Sequence, residues 1–167
     1  MRLVEGDADI DDLDAFLDRL NGIAADHGVT VQAFDARYVV GRHHLERAIE
    51  LADRAIARGE NVARDRGVEI LLYAAGRRQI DDALEMGVSE GRSPVVVLVS
   101  DPGGDGSAEA DAANAVGDLL DRGAALDAVD ADRVRAFFDI TEAELDATDG
   151  DLADLVVERV ALLDVEK

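Results

Sequence analysis

PVVVLVS, residues 94–100, is the stretch that decides the fold. Val95, Val96, Val97, Leu98 and Val99 are apolar without interruption, and Pro94 precedes them. A run of this kind is typical of a buried central strand rather than of a strand with one wet face.

Reading outward from it, the chain is mostly helical. Residues 43–58 place Leu45, Ala48, Ile49, Ala52 and Ile56 on one face, introduced by Gly41 and closed by Gly59. Arg47, Arg54 and Arg58 share a stripe on that helix. Glu46, Glu50 and Asp53 share another, and Glu50 to Arg54 is a favourable i,i+4 pair. Residues 65–75 predict a helix with Val68, Leu71, Leu72 and Ala75 inward, broken by Gly76. Another is predicted from about Arg77 to near Met86, with Gly87 as its C-cap. Nearer the start, residues 10–27 repeat Ile10, Leu13, Leu17, Leu20 and Ala24 at helical spacing and stop at Gly28. Residues 29–40 alternate and are rich in β-branched and aromatic residues, so one or two strands are predicted there, broken near Asp35. Residues 1–4 suit a short edge strand.

Beyond the valine run, DPGGDGS (101–107) is a turn or mobile loop. Helix follows over 108–122, capped by Gly123, then a short segment at 134–138, a short helix at 141–145 and a final helix at 151–163. No internal repeat is visible. The strands are too few and too unevenly spaced for a repeating βα pattern. The expected class is α+β, a mixed α/β two-layer arrangement with a small three- to four-stranded sheet covered by several helices. At 167 residues a single domain over 1–167 is expected.

The charge is lopsided. Asp and Glu number 38 against 17 Lys and Arg, a formal net charge of -21. Asp outnumbers Glu by 26 to 12, and Arg outnumbers Lys by 16 to one, the lone lysine being Lys167. An Asp-coated surface with Arg in place of Lys is the composition of a protein adapted to molar salt, as in a halophilic archaeon. At about 1 M salt the Debye length is about 3 Å, so self-repulsion is screened. The same screening removes long-range steering of nucleic acid, and any RNA binding must rest on short-range contacts. The acidity is therefore a habitat marker and leaves an RNA partner open.

Within this acidic chain, residues 32–92 hold 10 Arg against 11 Asp and Glu, a net of -1, while the other 106 residues carry -20. The contrast is sharpest in NVARDRGVEILLYAAGRRQI (61–80), with Arg64, Arg66, Arg77 and Arg78, and in FDARYVVGRHHL (34–45), with Arg37, Arg42, His43 and His44. Such a segment fits a patch that meets an anion or an acidic partner. A central, more buried segment with less surface charge would also produce it.

Several chemistries fail. There is no cysteine, hence no disulfide or thiolate site. The loop at 102–106 lacks the Lys-Ser/Thr of a phosphate-binding loop, and no GxGxxG opens a helix. His43 and His44 are adjacent and point about 100° apart on a helix, and His27 is remote, so no metal site is expected. No nucleophile elbow is present. The expectation is a protein that is not an enzyme and carries no cofactor. No leader-like or membrane-spanning run is present, and a cytoplasmic protein is expected.

An anion site at residues 76–80 is the better reading. Gly76 lets the chain turn, and Arg77, Arg78 and Gln79 then fall in the predicted first turn of a helix, where free N–H groups and the positive dipole end lie. The alternative is a structural pairing of one arginine with Glu69 or Asp81.

DARYVVG (35–41), His44-Leu45, Asn61, EILLYAA (69–75), RQI (78–80) and Met86-Gly87, with VERVALLD (157–164) near the end, together resemble one family: the small accessory subunit of the KEOPS complex, to which the human PRPK-binding protein belongs. The resemblance covers residues 33–99 and the final helix, with little over the N-terminus and 100–150. Asp35 stands where Asn is usual, and Ala63-Arg64-Asp65 replaces a Ser-containing turn, so capping near Asn61 is expected to differ.

The resemblance implies a non-catalytic subunit that supports threonylcarbamoyladenosine (t6A37) modification of tRNA, binds the kinase-like ATPase subunit and captures the tRNA 3′ CCA end. On that reading Arg37, Arg42, His44, Arg64, Arg77, Arg78 and Gln79 form the RNA surface, and Leu152, Leu155, Val156 and Arg159 of the final helix face the partner or the core. Tyr38 and Tyr73 suit the core better than a stacking platform. Two alternatives stay open: a protein-only adaptor of the kinase-like subunit, and a small enzyme acting on a phosphorylated metabolite at Arg77–Gln79.

Overall fold

The valine run lies in β3 (Gly91–Ser100), an interior strand of a four-stranded antiparallel sheet of order β2-β3-β1-β4, in a computed structural model that describes residues 1–166. The mixed α+β class follows from this sheet and the eight α-helices among the described residues. Two compact units are distinguished: Met1–Ala36 with Gly87–Ala128, and Arg37–Met86 with Val129–Lys167.

The first unit holds the sheet. β1 (Arg2–Ile10) pairs with β3 along its whole length, Val4 opposite Val97. β2 (Thr30–Asp35) flanks β3 on its other side, Ala33 also opposite Val97. One sheet face gathers Val4, Ala8, Ile10, Ala33, Val95, Val97 and Val99 with Phe16 and Leu20 of α1 (Leu13–His27) and Ala112 and Val116 of α5 (Ser107–Gly117). The residues between them in sequence, Phe34, Val96 and Leu98, are fully buried as well. Burial of both faces is why the run shows no alternation.

Three sequence expectations are corrected here. The N-terminal strand spans nine residues and is interior to the sheet, flanked by β3 and β4, where a short edge strand was expected. It takes in Ile10, because the Asp12 carboxylate caps Ala15 N–H and starts α1 only at Leu13. The helix after the loop ends at Gly117, because Asp121–Arg122 form β4 against Gly6 and Asp7. Gly6 admits that close approach: a Cβ there would collide with the Asp121 carbonyl. Within residues 29–40 there is one strand, which ends at Asp35 as expected, and Ala36–Tyr38 turn in a 3₁₀ coil.

The second unit has no strand among its described residues. α2 (Arg42–Ala57) packs on α3 (Arg66–Ala75) and on α8 (Leu152–Glu166), and α3 packs on α8. The buried face of α2 is Leu45, Ala48, Leu51, Ala52 and Ala55; Ile49 is half-buried and Ile56 exposed, so the stripe is rotated from the expected one. α3 is buried on all sides from Glu69 onward, as its nearly uninterrupted apolar sequence requires. Short helices α4 (Ile80–Ala83), α6 (Ala131–Phe137) and α7 (Glu142–Ala147) complete the unit. No helix among the described residues is long and apolar enough to cross a membrane.

Candidate functional site

The candidate site grows from the way α3 ends. Gly76 takes the left-handed conformation (φ 60°), and its N–H returns to the Leu72 and Tyr73 carbonyls. Arg77 N–H also bonds to the Leu72 carbonyl at 3.0 Å. The Arg77 backbone therefore closes α3 and does not open the next helix. α4 begins three residues later, at Ile80, and runs for four residues, with Gln79 as an N-cap that makes no side-chain bond. The expected helix start at Arg77, and the anion site in its first turn, are thus corrected: the N–H that was to be free is used in the C-cap.

The Arg77 side chain makes a different structure. Its guanidinium donates to the Phe137 carbonyl and lies over the Phe137 ring, 4.6 Å from the centroid. Neither Glu69 nor Asp81 is its partner. Across from it, Arg159 of α8 donates through Nε to the Phe138 carbonyl (3.2 Å) and through Nη2 to the Asp139 carbonyl (3.3 Å). The same Nη2 meets both oxygens of Glu144 at 2.8 and 2.7 Å. Asp139 carries the one positive φ on a non-glycine residue among the described residues, 53°, where the chain bends between α6 and α7. Between these groups lies a cleft of about 210 Å³, lined by Gly76, Arg77, Phe137, Phe138, Arg159 and Leu162, among others. Arg78 and Gln79, the next residues along the chain, are exposed.

His44, expected on the RNA surface, is fully buried, and that assignment is corrected. Its Nδ1 accepts from Val40 N–H (3.3 Å), so the neutral ring carries its proton on Nε2 and donates it to the Ala74 carbonyl at 2.8 Å. Burial outweighs the Ala74 bond and lowers its pKa to about 4. The imidazole stands edge-on to Phe138, centroids 5.9 Å apart. It therefore stiffens one wall of the cleft from behind.

The remaining expected RNA contacts are scattered. Arg42 is exposed but bonded to Glu46 at 2.7 Å. Arg37 is half-buried, and its carbonyl accepts from Asp130 N–H. Arg64 is exposed in the loop before α3. None of the three lines the cleft. The departure near Asn61 is resolved by other groups: Asp65 caps α3 through Val68 N–H, Asn61 donates to the Ala63 carbonyl, and buried Glu69 receives Val62 N–H at 2.9 and 3.1 Å.

On the final helix, Leu155 and Val156 are buried in their own unit, so of the two places expected for them they take the core, and the partner role is corrected. Leu152 is half-buried. Arg159 is a cleft residue. Tyr38 and Tyr73 are buried, Tyr38 bonded to Glu85 (3.0 Å) and Tyr73 to Asp164 (3.1 Å). Burial first, then the Asp164 carboxylate, raises the Tyr73 pKa.

Sequence reasoning missed Phe137, Phe138 and Leu162. The available signal was the adjacent pair of phenylalanines in a chain with six aromatics.

A family model described as kinase binding protein CGI-121 matches residues 8–164. The chain belongs to this family. No curated protein sequence matches it. The CGI-121 match runs through both units, and so through every residue that lines the cleft.

Proposed function

We propose that this CGI-121 family protein is the non-catalytic small subunit of a KEOPS complex, binding the kinase-like ATPase subunit and the 3′ CCA end of tRNA during t6A37 modification. The observation that carries the RNA part is the Arg77–Arg159 cleft. Two guanidiniums and two phenyl rings converge there, and the next residues, Arg78 and Gln79, are exposed. Unpaired RNA ends are held by this combination of cationic groups, aromatic faces and a side-chain amide that can reach a base edge. Arg77 and Arg159 position the cleft, because their donors are already engaged with carbonyls. Arg78 is exposed and has no ion pair or hydrogen bond among the described residues, so its cation is free beside the cleft.

A second observation supports the protein partner. Ile80 and Leu84 stand one helical turn apart and are 43% and 55% exposed. An apolar pair presented this way suits a hydrophobic contact on the kinase-like subunit. A protein-only adaptor would use this pair and leave the cleft empty.

Filter binding of tRNA with and without its terminal CCA, in concentrated KCl, tests the reading. Wild type should prefer the intact end, and the double change Arg78→Glu, Gln79→Ala should remove that preference while pull-down of the kinase-like subunit is retained. Equal binding of both tRNAs would overturn end recognition, and binding of neither would leave only the adaptor. Ile80→Ser with Leu84→Ser should do the reverse, losing the partner and keeping the RNA.

A further inference from the structure

β1 is covered unequally on its two sides. Toward β3 all nine residues are paired, from Arg2 opposite Val99 to Ile10 opposite Gly91. Toward β4 only Gly6 and Asp7 are paired. One further bond, Gly123 N–H to the Glu5 carbonyl at 3.3 Å, extends that side by a residue. The Glu5 carbonyl therefore points to the β4 side. By the two-residue period of a strand, the Leu3 N–H and C=O point the same way, and β4 ends before it can reach them.

Beside this bare edge lies a cleft of about 490 Å³. Its floor is Leu3, one wall is Ala110, Ala113 and Asn114 of α5, and Arg2 and Arg122 also line it. The two alanines leave room next to the edge that larger side chains would fill. Both residues are exposed. Neither has an ion pair among the described residues, although Arg2 lies in the field of Glu109. Arg122 lies against Gly117, where a Cβ would collide with it. The third arginine of the neighbourhood, Arg92, is by contrast held by Asp7 at 3.3 Å and Asp121 at 2.9 Å. This unit has four arginines against 17 carboxylates. Two of these four arginines line this one cleft.

We propose that the open edge of β1 receives an acidic, extended peptide segment of another protein as an added strand beside Leu3. The main chain of that segment pairs with the Leu3 N–H and C=O. A small apolar side chain seats over Ala110 and Ala113, and carboxylates meet Arg2 and Arg122. A peptide fits better than a nucleic acid, because the Leu3 N–H and C=O offer a main-chain donor and acceptor side by side, the pair that an added strand takes up. This surface is separate from the Arg77 cleft and does not depend on the function proposed for that cleft.

The probe is an acetylated, fluorescein-labelled peptide of alternating valine and aspartate. Binding is read by anisotropy in about 1 M KCl, where the Debye length of about 3 Å leaves only contact charges. Three changes should each weaken binding by about tenfold or more: lysine for aspartate in the peptide, N-methylation of its alternate amides, and Arg2→Glu with Arg122→Glu in the protein. In ¹⁵N spectra the Leu3 amide should move and become protected from exchange. Leu3→Pro removes that donor without touching the β1–β3 bonds, and it should abolish binding in a protein that remains folded by circular dichroism. Equal binding by the N-methylated or the lysine peptide would overturn the proposal, as would an unprotected Leu3 amide in the complex. A concentration-dependent dimer in sedimentation, lost on Leu3→Pro, would replace the peptide with a second copy and also overturn it.

Discussion

The two units satisfy their backbones by different means. In the sheet unit, antiparallel ladders consume most of the main-chain donors and acceptors, and the side chains between them are valines, alanines and leucines. The helical unit has no ladder among its described residues. Its turns and helix ends are tied by side chains: His44 to Val40 and Ala74, Glu69 to Val62, Asn61 to Ala63, Arg77 to Phe137, Arg159 to Phe138 and Asp139. The sheet unit has such ties too, buried Glu109 receiving Asp101 N–H at 2.7 Å, but there they supplement the ladders, whereas the helical unit has no ladder to supplement. The charge follows the same division. The helical unit carries 12 of the 16 arginines and a net of -8; the sheet unit carries -13. A local excess of arginine in the sequence thus marks two things at once, internal ties and a surface patch. Only position in the fold separates them.

The hardest test of this contrast is Glu69. It is fully buried, and both carboxylate oxygens receive Val62 N–H. Glu69→Ala leaves an orphan N–H and a cavity, and urea unfolding should show a loss of about 4 kcal/mol. A β3 substitution of similar volume, Val97→Ala, should cost about 2 kcal/mol, since it removes packing and no bond. If the two variants lose equal stability, the helical unit does not depend on its internal polar ties in the way described.

His44 sharpens the contrast through pH. In the folded chain its pKa is about 4, against 6.5 in the unfolded chain. Between these values the unfolded state binds the extra proton, so stability rises with pH across the window and the full contribution is present above about 6.5. Acidification from pH 7 to pH 4 should therefore cost wild type about 3 kcal/mol more than it costs His44→Asn, which has no such proton to take up. Urea melts of both proteins at matched salt measure the difference. Parallel pH profiles would show that His44 titrates normally and that its burial is not maintained in solution.

Much of the fold was legible because the sheet and the longer helices rest on periodicity. The run at 95–99, the stops at Gly28 and Gly76 and the presence of α1, α2 and α3 follow from local pattern, although the inward faces of α1 and α2 are rotated and leave Leu17 and Ile56 exposed. The errors fell where a distant contact overrode local preference. β1 continues through residues of mixed polarity because β3 pairs with it throughout. α5 stops early because β4 is drawn to Gly6. The site was less legible. Whether an arginine is free or tied depends on which carbonyls lie near its head, and sequence spacing does not encode that. Arg78 and Gln79 were placed on the surface correctly, but His44 was assigned to it when it lies inside.

Gly76 tests how the cleft is held open. Its φ of 60° suits glycine, and an added Cβ would make only ordinary contacts, 3.5 Å from the Arg159 carbonyl and 3.8 Å from the Phe138 ring. The cost of Gly76→Ala is therefore conformational, about 1 kcal/mol in thermal unfolding. Loss of several times that amount would mean that the α3 C-cap cannot relax without disturbing Arg159 and the phenylalanine pair.

The smallest effect is the most discriminating for the RNA reading. Arg42 and Arg78 are both exposed arginines, yet Arg42 is bonded to Glu46 across one helical turn and Arg78 is free. An exposed i,i+4 pair of this kind contributes about 0.4 kcal/mol, because solvent and salt screen it and both side chains lose rotamer freedom. Arg42→Ala should therefore lower stability by no more than that. It should also leave tRNA affinity within about twofold, since a cation must first give up its carboxylate before it can hold a phosphate. Arg78→Ala, with nothing to give up, should weaken tRNA binding by about fivefold at unchanged stability. Equal losses of tRNA binding in the two variants would mean that the Arg42–Glu46 pair opens on contact with RNA. The distinction between tied and free arginines would then fail as a guide to this surface.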